Sequence, residues 1–279
     1  MILVLGQCSD QVIGAFMHHC VKHSVDFAFV DLNQLGKSID MDELYWFFPG
    51  QSPVSHSDIT GVYNRFLDWP KQNKYQMDRL LSLFDWLDHR YENVINRPKD
   101  TMSNLSKPYQ LDIASQFYSW SIPKTNIIMN TQVKIKSPFI CKSISSERSI
   151  VNQVYRQEEK AFYEPALLQA YIPGLNIRVH ACDDVIVAVG IQSDAVDYRY
   201  SRFENDIFMY HLPGQVEKDI LALNRTLGLR FSGVDLIYHN KKYYFLEANP
   251  SPGYAYFESQ LSRPYISEAL LSSLSRTVH

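Results

Sequence analysis

LRFSGVDLIYHNKKYYFLEANPSPGYAYF, residues 229–257, predicts a β-hairpin whose side chains point to a chemical site. Alternating apolar residues predict strands over 234–239 and 243–249, and the polar run 240–242 is typical of a three-residue hairpin loop. That loop predicts three facing pairs across the strands: His239 with Tyr243, Ile237 with Phe245, and Asp235 with Glu247.

Asp235, Glu247 and Asn249 then share one face of the hairpin, because side chains along a strand alternate between its two faces. Like charges opposite one another destabilise a strand pair unless something neutralises them, and a hard divalent cation would do so. Mg²⁺ prefers oxygen ligands, so two carboxylates and an amide oxygen suit it, with Mn²⁺ as the substitute. The competing interpretation is a solvated hairpin edge. The apolar pair before the glutamate and the rigid proline-rich loop after the asparagine favour a site.

The composition is that of an ordinary globular protein. At 279 residues and 46% hydrophobic content, the chain is long enough for two or three compact units. A net charge of -3 and the absence of any Lys/Arg block argue against a nucleic-acid partner. The opening run MILVLG is too short for a signal peptide or a membrane span, which predicts a cytoplasmic protein without a membrane partner. The cysteines are widely spaced, which predicts reduced thiols and no zinc site.

The amino-terminal third predicts an α/β unit. Three successive segments predict strand, helix and strand, the start of a parallel sheet: 1–6, 10–23 and 26–32. Either Ser9 or Asp10 is a suitable helix cap. Further elements are predicted at 61–66 (strand), 75–89 (helix) and 94–98 (strand). A single glycine, Gly6, at the first turn falls short of the GxGxxG fingerprint and argues against a dehydrogenase.

The remainder of the chain predicts a mixed α and β region. A helix beginning near Asn104 or Ser106 has Pro108 in its first turn and Lys107 at its N-terminus. A cation there is unfavourable for the helix dipole, unless Lys107 and the free N–H groups share an anion such as phosphate. Short β-like runs follow, and helices are predicted at 213–229 and 262–275. The β-like runs are 126–129, 138–145, 166–172, 176–181 and 185–191.

In this order, the pieces resemble the ATP-grasp superfamily, especially its RimK-like and peptide-modifying carboxylate-amine ligases. The resemblance covers about residues 96–258 and is carried by Lys107, FICKSIS, QAYIPG, IRVHACDDVIVAVGIQSDAVDYRY and FLEANPSPG. It implies an α/β (α+β) ATP-grasp fold with an amino-terminal Rossmann-like domain over 1–95. The nucleotide-binding and catalytic region would span 96–279, with a smaller central subdomain at about 123–172.

The resemblance also implies roles for single residues. Lys107 and Lys142 would contact ATP phosphates, and Arg178 and Arg199 would bind phosphate, with Lys142 and Arg178 also acting in catalysis. The adenine would be read by the backbone of the linker Gln169, Ala170, Tyr171 and Ile172. The hairpin residues Asp235, Glu247 and Asn249 would form the metal site. Three alternatives stay open: Lys142 reaching solvent at a strand end, Arg178 in a surface pair with Asp183 or Asp184, and Arg199 in an exposed basic loop.

The phosphate-covering loop departs from the family pattern. ATP-grasp proteins usually carry a glycine-rich loop there, whereas residues 145–149 read SSERS and no glycine lies between Gly61 and Gly174. A Walker-type loop is therefore excluded from this region. Serine hydroxyls, backbone N–H groups and Arg148 are the substitute donors, in a loop expected to close over the substrate.

The implied activity is that of an ATP-dependent carboxylate-amine ligase. ATP phosphorylates a substrate carboxylate to an acylphosphate, an amine attacks it, and ADP and phosphate leave. An ester-forming ligase with a hydroxyl acceptor and a non-catalytic ATP-binding regulatory or scaffold module are the alternatives. Family-like segments around the hairpin favour an amino-acid or peptide substrate, and a homo-oligomer stays open. Tyr254, Tyr256 and Phe257 would form either a wall of the acceptor site or core packing.

Overall fold

A computed structural model describes residues 1–65, 74–129, 131–134, 138–145, 154–156, 159–162, 165–193 and 206–276. The described strands in chain order are β1 (Ile2–Gly6), β2 (Phe27–Asp31), β3 (Asp40–Met41), β4 (Tyr45–Phe47), β5 (Val54–Ser55), β6 (Gly61–Asn64), β7 (Val94–Ile95), β8 (Thr125–Ile128), β9 (Thr131–Lys134), β10 (Phe139–Ser143), β11 (Val154–Tyr155), β12 (Glu159–Phe162), β13 (Ala166–Ala170), β14 (Leu175–Cys182), β15 (Val185–Gln192), β16 (Asp206–Met209), β17 (Phe231–His239) and β18 (Lys242–Asn249). The described α-helices are α1 (Gln11–Lys22), α2 (Lys74–Arg90), α3 (Pro98–Ser103), α4 (Lys107–Ala114), α5 (Gly214–Thr226), α6 (Ala255–Ser259) and α7 (Tyr265–Ser275).

The chain forms two compact units, and the first comprises Met1–Thr101, Leu229–Phe231 and Gly253–His279. Its main sheet is parallel, in the order β2-β1-β6-β7, so the predicted strand-helix-strand start is confirmed. Asp10 caps α1 by accepting a hydrogen bond from the N–H of Val12 at 2.9 Å, which decides between the two predicted caps. The sheet packs with α2 through a core that includes Leu3, Leu5, Val30, Val62, Phe84 and Leu87.

The carboxy-terminal segment of the first unit contains one helix that the sequence did not predict. α6 forms where Tyr254 and Phe257, spaced by three residues, both bury their rings, at 0% and 5% exposure. Glu258 in this helix caps α7, since its carboxylate accepts from the N–H groups of Ile266 at 2.6 Å and Ser267 at 2.7 Å. The last predicted helix therefore begins at Tyr265 and not at 262.

The second unit comprises Met102–Gly228 and Ser232–Pro252 and is built mainly from antiparallel strand pairs. One sheet has the strand order β16-β15-β14-β17-β18, a second has the order β11-β10-β13-β8, and β12 pairs with β9. α5 buries its apolar stripe of Val216, Ile220 and Leu223. The helix predicted from Asn104 or Ser106 begins at Lys107 with Ser106 as its cap, and the short helix α3 before it was not predicted. None of the described helices is both long and apolar enough to span a bilayer.

Candidate active site

The hairpin β17–β18 has a shorter loop than the sequence predicted. Its loop is Asn240-Lys241, both with positive φ (48° and 62°), which matches the twist-compatible two-residue turn of hairpins. The predicted pairs His239 with Tyr243 and Ile237 with Phe245 are therefore wrong. The observed partners are His239 with Lys242, Tyr238 with Tyr243, Ile237 with Tyr244 and Leu236 with Phe245.

A β-bulge restores the predicted pairing where the site residues lie. The register shifts between Asp235 and Leu236, so that Leu246 has no partner and Asp235 faces Glu247. Asn249 faces Gly233 and lies two residues beyond Glu247, on the same face of the strand. The loop is one residue shorter than expected and the bulge adds one residue, so the two deviations cancel at the carboxylates.

Arg178 on β14 is the basic partner of the first carboxylate. Its Nη1 lies 2.8 Å from Oδ1 of Asp235, and the Arg178 side chain is 6% exposed. The expected alternative partners, Asp183 and Asp184, form the turn after β14, with Asp183 at a φ of 48°. The bond to Asp235 holds Arg178 at the face where the hairpin carboxylates point. A guanidinium at this position suits either a carboxylate or a phosphate, because it binds both with the same forked geometry.

Gly233 gives Arg178 the room to reach Asp235. A Cβ on Gly233 would lie 2.3 Å from Nη2 of Arg178 and 2.6 Å from Cβ of Pro252, both far inside normal contact. The guanidinium thus occupies the space of a missing side chain. Sequence reasoning did not single out Gly233, although a glycine in the middle of a strand signals close approach of another group.

Lys107 is the basic partner of the second carboxylate. Its side chain is 2% exposed, and its Nζ lies 3.5 Å from Oε2 of Glu247 and donates to the carbonyls of Ser145 at 3.0 Å and Ser143 at 3.4 Å. Its backbone N–H donates to the carbonyl of Ile144 at 3.0 Å. The anion expected beside this helix start is thus supplied by Glu247. The backbone N–H of Lys107 is already hydrogen-bonded to Ile144.

The donor set fits a hard divalent cation, although charge alone does not demand one. Each facing carboxylate has a cation beside it, Arg178 for Asp235 and Lys107 for Glu247, so their mutual repulsion is offset within the protein. The chemistry still matches Mg²⁺, because the three side chains on this face offer only oxygen donors. Asn249 keeps its Oδ1 oriented by accepting from the N–H of Ser251 at 2.8 Å. Among the described residues, no three His, Cys, Asp or Glu side chains form a cluster that could hold a metal, and the third oxygen on this face is the amide oxygen of Asn249.

Lys142 lies on β10 directly opposite Leu167 of β13, and is 7% exposed. Lys142 is therefore buried, and the alternative of a strand-end lysine that reaches solvent is wrong. Gln169 faces Ile140 two residues along the same ladder, so Lys142 and Gln169 share a sheet face. The Gln169 side chain is fully buried and donates from Nε2 to Oγ1 of Thr125 at 3.2 Å.

The predicted adenine linker runs out of the end of β13. The N–H of Ala170 donates to the carbonyl of Lys124 at 2.8 Å, and that of Tyr171 donates to the carbonyl of Pro138 at 3.0 Å. Tyr171 and Ile172 are partly exposed. These bonds fix the course of the linker backbone, which is the part expected to read the base.

Some predicted residues lie outside the described part of the chain. Arg199 and residues 146–149 of the serine-rich loop, including Arg148, belong to this group. The aromatic tail divides in two: Tyr254 and Phe257 are buried in the first unit, in agreement with the packing alternative, while Tyr256 is 47% exposed. Of these three side chains, Tyr256 alone is exposed.

Gln110 is a site residue that sequence reasoning missed. Its fully buried side chain hydrogen-bonds the backbone of Ala248, which lies between Glu247 and Asn249. No motif or period marks it, because a glutamine on a short helix has the pattern of an ordinary surface residue. Its neighbour Lys107 could be singled out from the sequence, because a cation at a helix start is unfavourable without an anion beside it.

A family model now identifies the chain. The model described as RimK-like ATP-grasp domain matches residues 107–270, more than half of the chain and all of the hairpin site. The chain belongs to the RimK-like ATP-grasp family. This membership confirms the resemblance drawn from the sequence, the ATP-grasp fold, and the enzyme class of ATP-dependent ligase.

Solved structures of peptide-modifying ATP-grasp enzymes share the fold of this RimK-like protein. Macrocyclase MdnC from Microcystis aeruginosa MRC, bound with precursor peptide MdnA, aligns with a TM-score of 0.74 at 18% identity over 98% of this chain and 99% of MdnC. A RiPP-associated ATP-grasp ligase from Chryseobacterium gregarium, in complex with ADP and a leader and core peptide, aligns with a TM-score of 0.73 at 16% identity over 100% and 99%. The ligase PsnB, complexed with a phosphomimetic variant of its minimal precursor, Mg and ADP, aligns with a TM-score of 0.71 at 17% identity over 98% of each chain. A search of curated proteins finds no match.

Proposed function

We propose that this RimK-like protein is an ATP- and Mg²⁺-dependent carboxylate-amine ligase that modifies a peptide. The observation that carries the proposal is the row Arg178, Asp235, Glu247 and Lys107, in which two cations flank two facing carboxylates on the matched domain. A binding module would not require such a closely arranged set, whereas phosphoryl transfer depends on positioned charges. The catalytic region is proposed to lie within residues 96–279, after an amino-terminal domain of residues 1–95.

Asp235, Glu247 and Asn249 would hold Mg²⁺, which when bound neutralises charge on the transferring phosphoryl group. The cationic side chains of the protein are proposed to act on the oxygens of the same phosphoryl group. Arg178 offers a forked donor that exchanges a carboxylate for a phosphate oxygen, and the buried ammonium groups of Lys107 and Lys142 supply positive charge without rearrangement. Burial strengthens the electrostatic interactions of these charges, because the local dielectric constant is lower than that of water.

The substrate carboxylate is proposed to attack the γ-phosphorus, forming an acylphosphate and releasing ADP. An amine then attacks the acyl carbon, the C–O bond to phosphate breaks, and phosphate leaves as the amide forms. Water must be kept out of the site, or the acylphosphate hydrolyses. Support for a peptide substrate comes from the solved structures with this fold, which are described in complexes with precursor peptides.

The test is ADP release from ATP and Mg²⁺ with three substrate pools: free amino acids, random peptides, and peptides encoded beside the gene. Wild type is expected to release ADP with a peptide pool, and mass spectrometry should find a product whose mass is that of the joined reactants less one water per bond formed. Hydroxylamine separates the bond types, since it cleaves an ester and leaves an amide intact.

Glu247→Ala is the control for the proposed chemistry. Removing a metal-binding carboxylate should lower ADP release at least about 100-fold, the scale at which one misplaced electrostatic group affects catalysis. Glu217→Ala, at a partly buried acid in the first turn of α5, is the matched control and should keep wild-type activity. Equal ADP release by wild type and Glu247→Ala would refute the mechanism. Tight ATP binding without turnover in every pool would support the regulatory module instead.

A further inference from the structure

Gln110 joins helix α4 to the strand that carries Glu247 and Asn249. Its side-chain Oε1 accepts from the N–H of Ala248 at 3.0 Å, and its Nε2 donates to the carbonyl of Ala248 at 2.5 Å. Nε2 also donates to the carbonyl of Asn104, just before the helix. The amide therefore pairs with β18 as a peptide group of a neighbouring strand would.

Gln110 hydrogen-bonds Ala248, the residue between the two predicted metal ligands on β18. Because side chains alternate along a strand, holding the backbone of Ala248 fixes the positions from which Glu247 and Asn249 project to the opposite face. Ala248 itself is fully buried, so its backbone N–H and C=O groups cannot form hydrogen bonds to water in place of those to Gln110. The bonds to Gln110 thus set the position of this part of the strand.

The same helix carries Lys107, three residues before Gln110, so the two side chains lie on neighbouring positions of one helix face. Lys107 reaches Oε2 of Glu247 at 3.5 Å. The bonds from Gln110 to Ala248 therefore tie the helix that carries this cation to the strand that carries the carboxylate. Asn104 adds a second anchor, since its Nδ2 donates to the carbonyl of Leu227 at 2.8 Å beyond the end of α5.

We propose that Gln110 is a positioning residue of the ligase, which sets the distance between Lys107 and the metal-binding strand without touching substrate. The inference rests on the proposed function of Glu247 and Asn249. It predicts that Gln110 governs how strongly the protein responds to Mg²⁺, which a residue that only stabilises the fold would not do.

The test compares Gln110→Met with wild type in two titrations with Mg²⁺. One titration follows ADP release with the peptide pool, and the other follows binding of a fluorescent ATP analogue, which needs no turnover. Gln110→Met keeps the length of the side chain and loses all three hydrogen bonds. Its half-saturating Mg²⁺ concentration is expected to rise about 10- to 100-fold in both titrations, the usual effect of removing a group that orients a metal ligand. Gln110→Asn, which keeps the amide one methylene short, serves if the Met variant does not fold.

Two controls separate positioning from stability. Trp120→Phe removes another buried hydrogen bond in the same unit, from Nε1 to the carbonyl of Ala114 at 2.9 Å, and its ring packs against Phe245 of β18, so it perturbs the same strand without removing a hydrogen bond to Ala248. Gln116→Met makes the same substitution at an exposed position. The inference is overturned if Gln110→Met shifts the Mg²⁺ response no more than Trp120→Phe does. If wild type binds the analogue with Mg²⁺ but never releases ADP, the proposed function fails, while the binding titration still decides the role of Gln110.

Discussion

Gly233→Ala should impair catalysis by the ligase through Arg178, beyond any loss of stability. The guanidinium of Arg178 lies where the new Cβ would be, with Nη2 at 2.3 Å and Cζ at 2.6 Å from that position. Non-bonded carbon and nitrogen atoms normally stay about 3.5 Å apart or more, so the guanidinium must withdraw by about 1 Å. Its 2.8 Å bond to Oδ1 of Asp235 would then stretch beyond hydrogen-bond range.

The size of the effect follows from that displacement. A group misplaced by about 1 Å can lower the rate about 100-fold, which corresponds to about 2.7 kcal/mol in the activation free energy. Withdrawal of the long Arg178 side chain should cost little stability, because that side chain can move aside. Pro252 cannot move so easily, so overpacking against its Cβ at 2.6 Å should lower the free energy of unfolding by about 1–3 kcal/mol.

The assay is kcat for ADP release, with the thermal midpoint measured in parallel. Gly214→Ala is the matched control, since a Cβ there meets nothing within 4 Å. The double variant Gly233→Ala with Arg178→Ala shows the route of the effect: if Gly233 acts through Arg178, the double variant should be no worse than Arg178→Ala alone. Wild-type kcat in Gly233→Ala, or strictly additive losses in the double variant, would refute the reasoning.

Two further predictions concern stability. Burial raises the pKa of Glu258, so its charged form is disfavoured in the folded protein, and its stabilising contribution is present below its ordinary pKa and lost as pH rises through the raised pKa. Glu258→Gln keeps an oxygen for the N–H groups it caps, so thermal melts from acid to neutral pH should show the midpoint of wild type falling relative to the variant, and parallel curves would contradict this. Lys241→Gly should stabilise the hairpin by about 0.5–1 kcal/mol in chemical denaturation, because Lys241 has a φ of 62° that glycine adopts without strain; an unchanged or lower midpoint would show that the lysine side chain contributes more than its strain costs.

The facing of Asp235 and Glu247 was predictable from the sequence, but for an incomplete reason. The residue spacing predicted the correct pair only because two deviations cancel. The turn is one residue shorter than predicted, and the bulge at Leu246 adds one residue to the second strand. A bulge depends on packing of the two strand faces, which a local pattern does not reveal. The order of the elements and the parallel amino-terminal sheet followed from hydrophobic periodicity, which is a local property.

The electrostatics of the site were less accessible from the sequence. The partners Arg178 for Asp235 and Lys107 for Glu247 join residues 57 and 140 positions apart, respectively, so no local pattern links them. The contacts of Gln110 with β18 span 138 positions. Such long-range pairs arise from the way the sheet and α4 pack together, and only the three-dimensional structure reveals them.

The strand that carries Glu247 and Asn249 lies at the end of its sheet, where exposed backbone groups invite pairing with another molecule. Its outer side is occupied along most of its length. Ser121 exchanges backbone hydrogen bonds with Tyr243 at 2.9 Å and Phe245 at 3.0 Å, and Gln110 takes both backbone groups of Ala248. The residues that orient the site strand thus also protect it from edge-to-edge aggregation. Substitutions at Gln110 should for that reason be judged by solubility as well as by turnover.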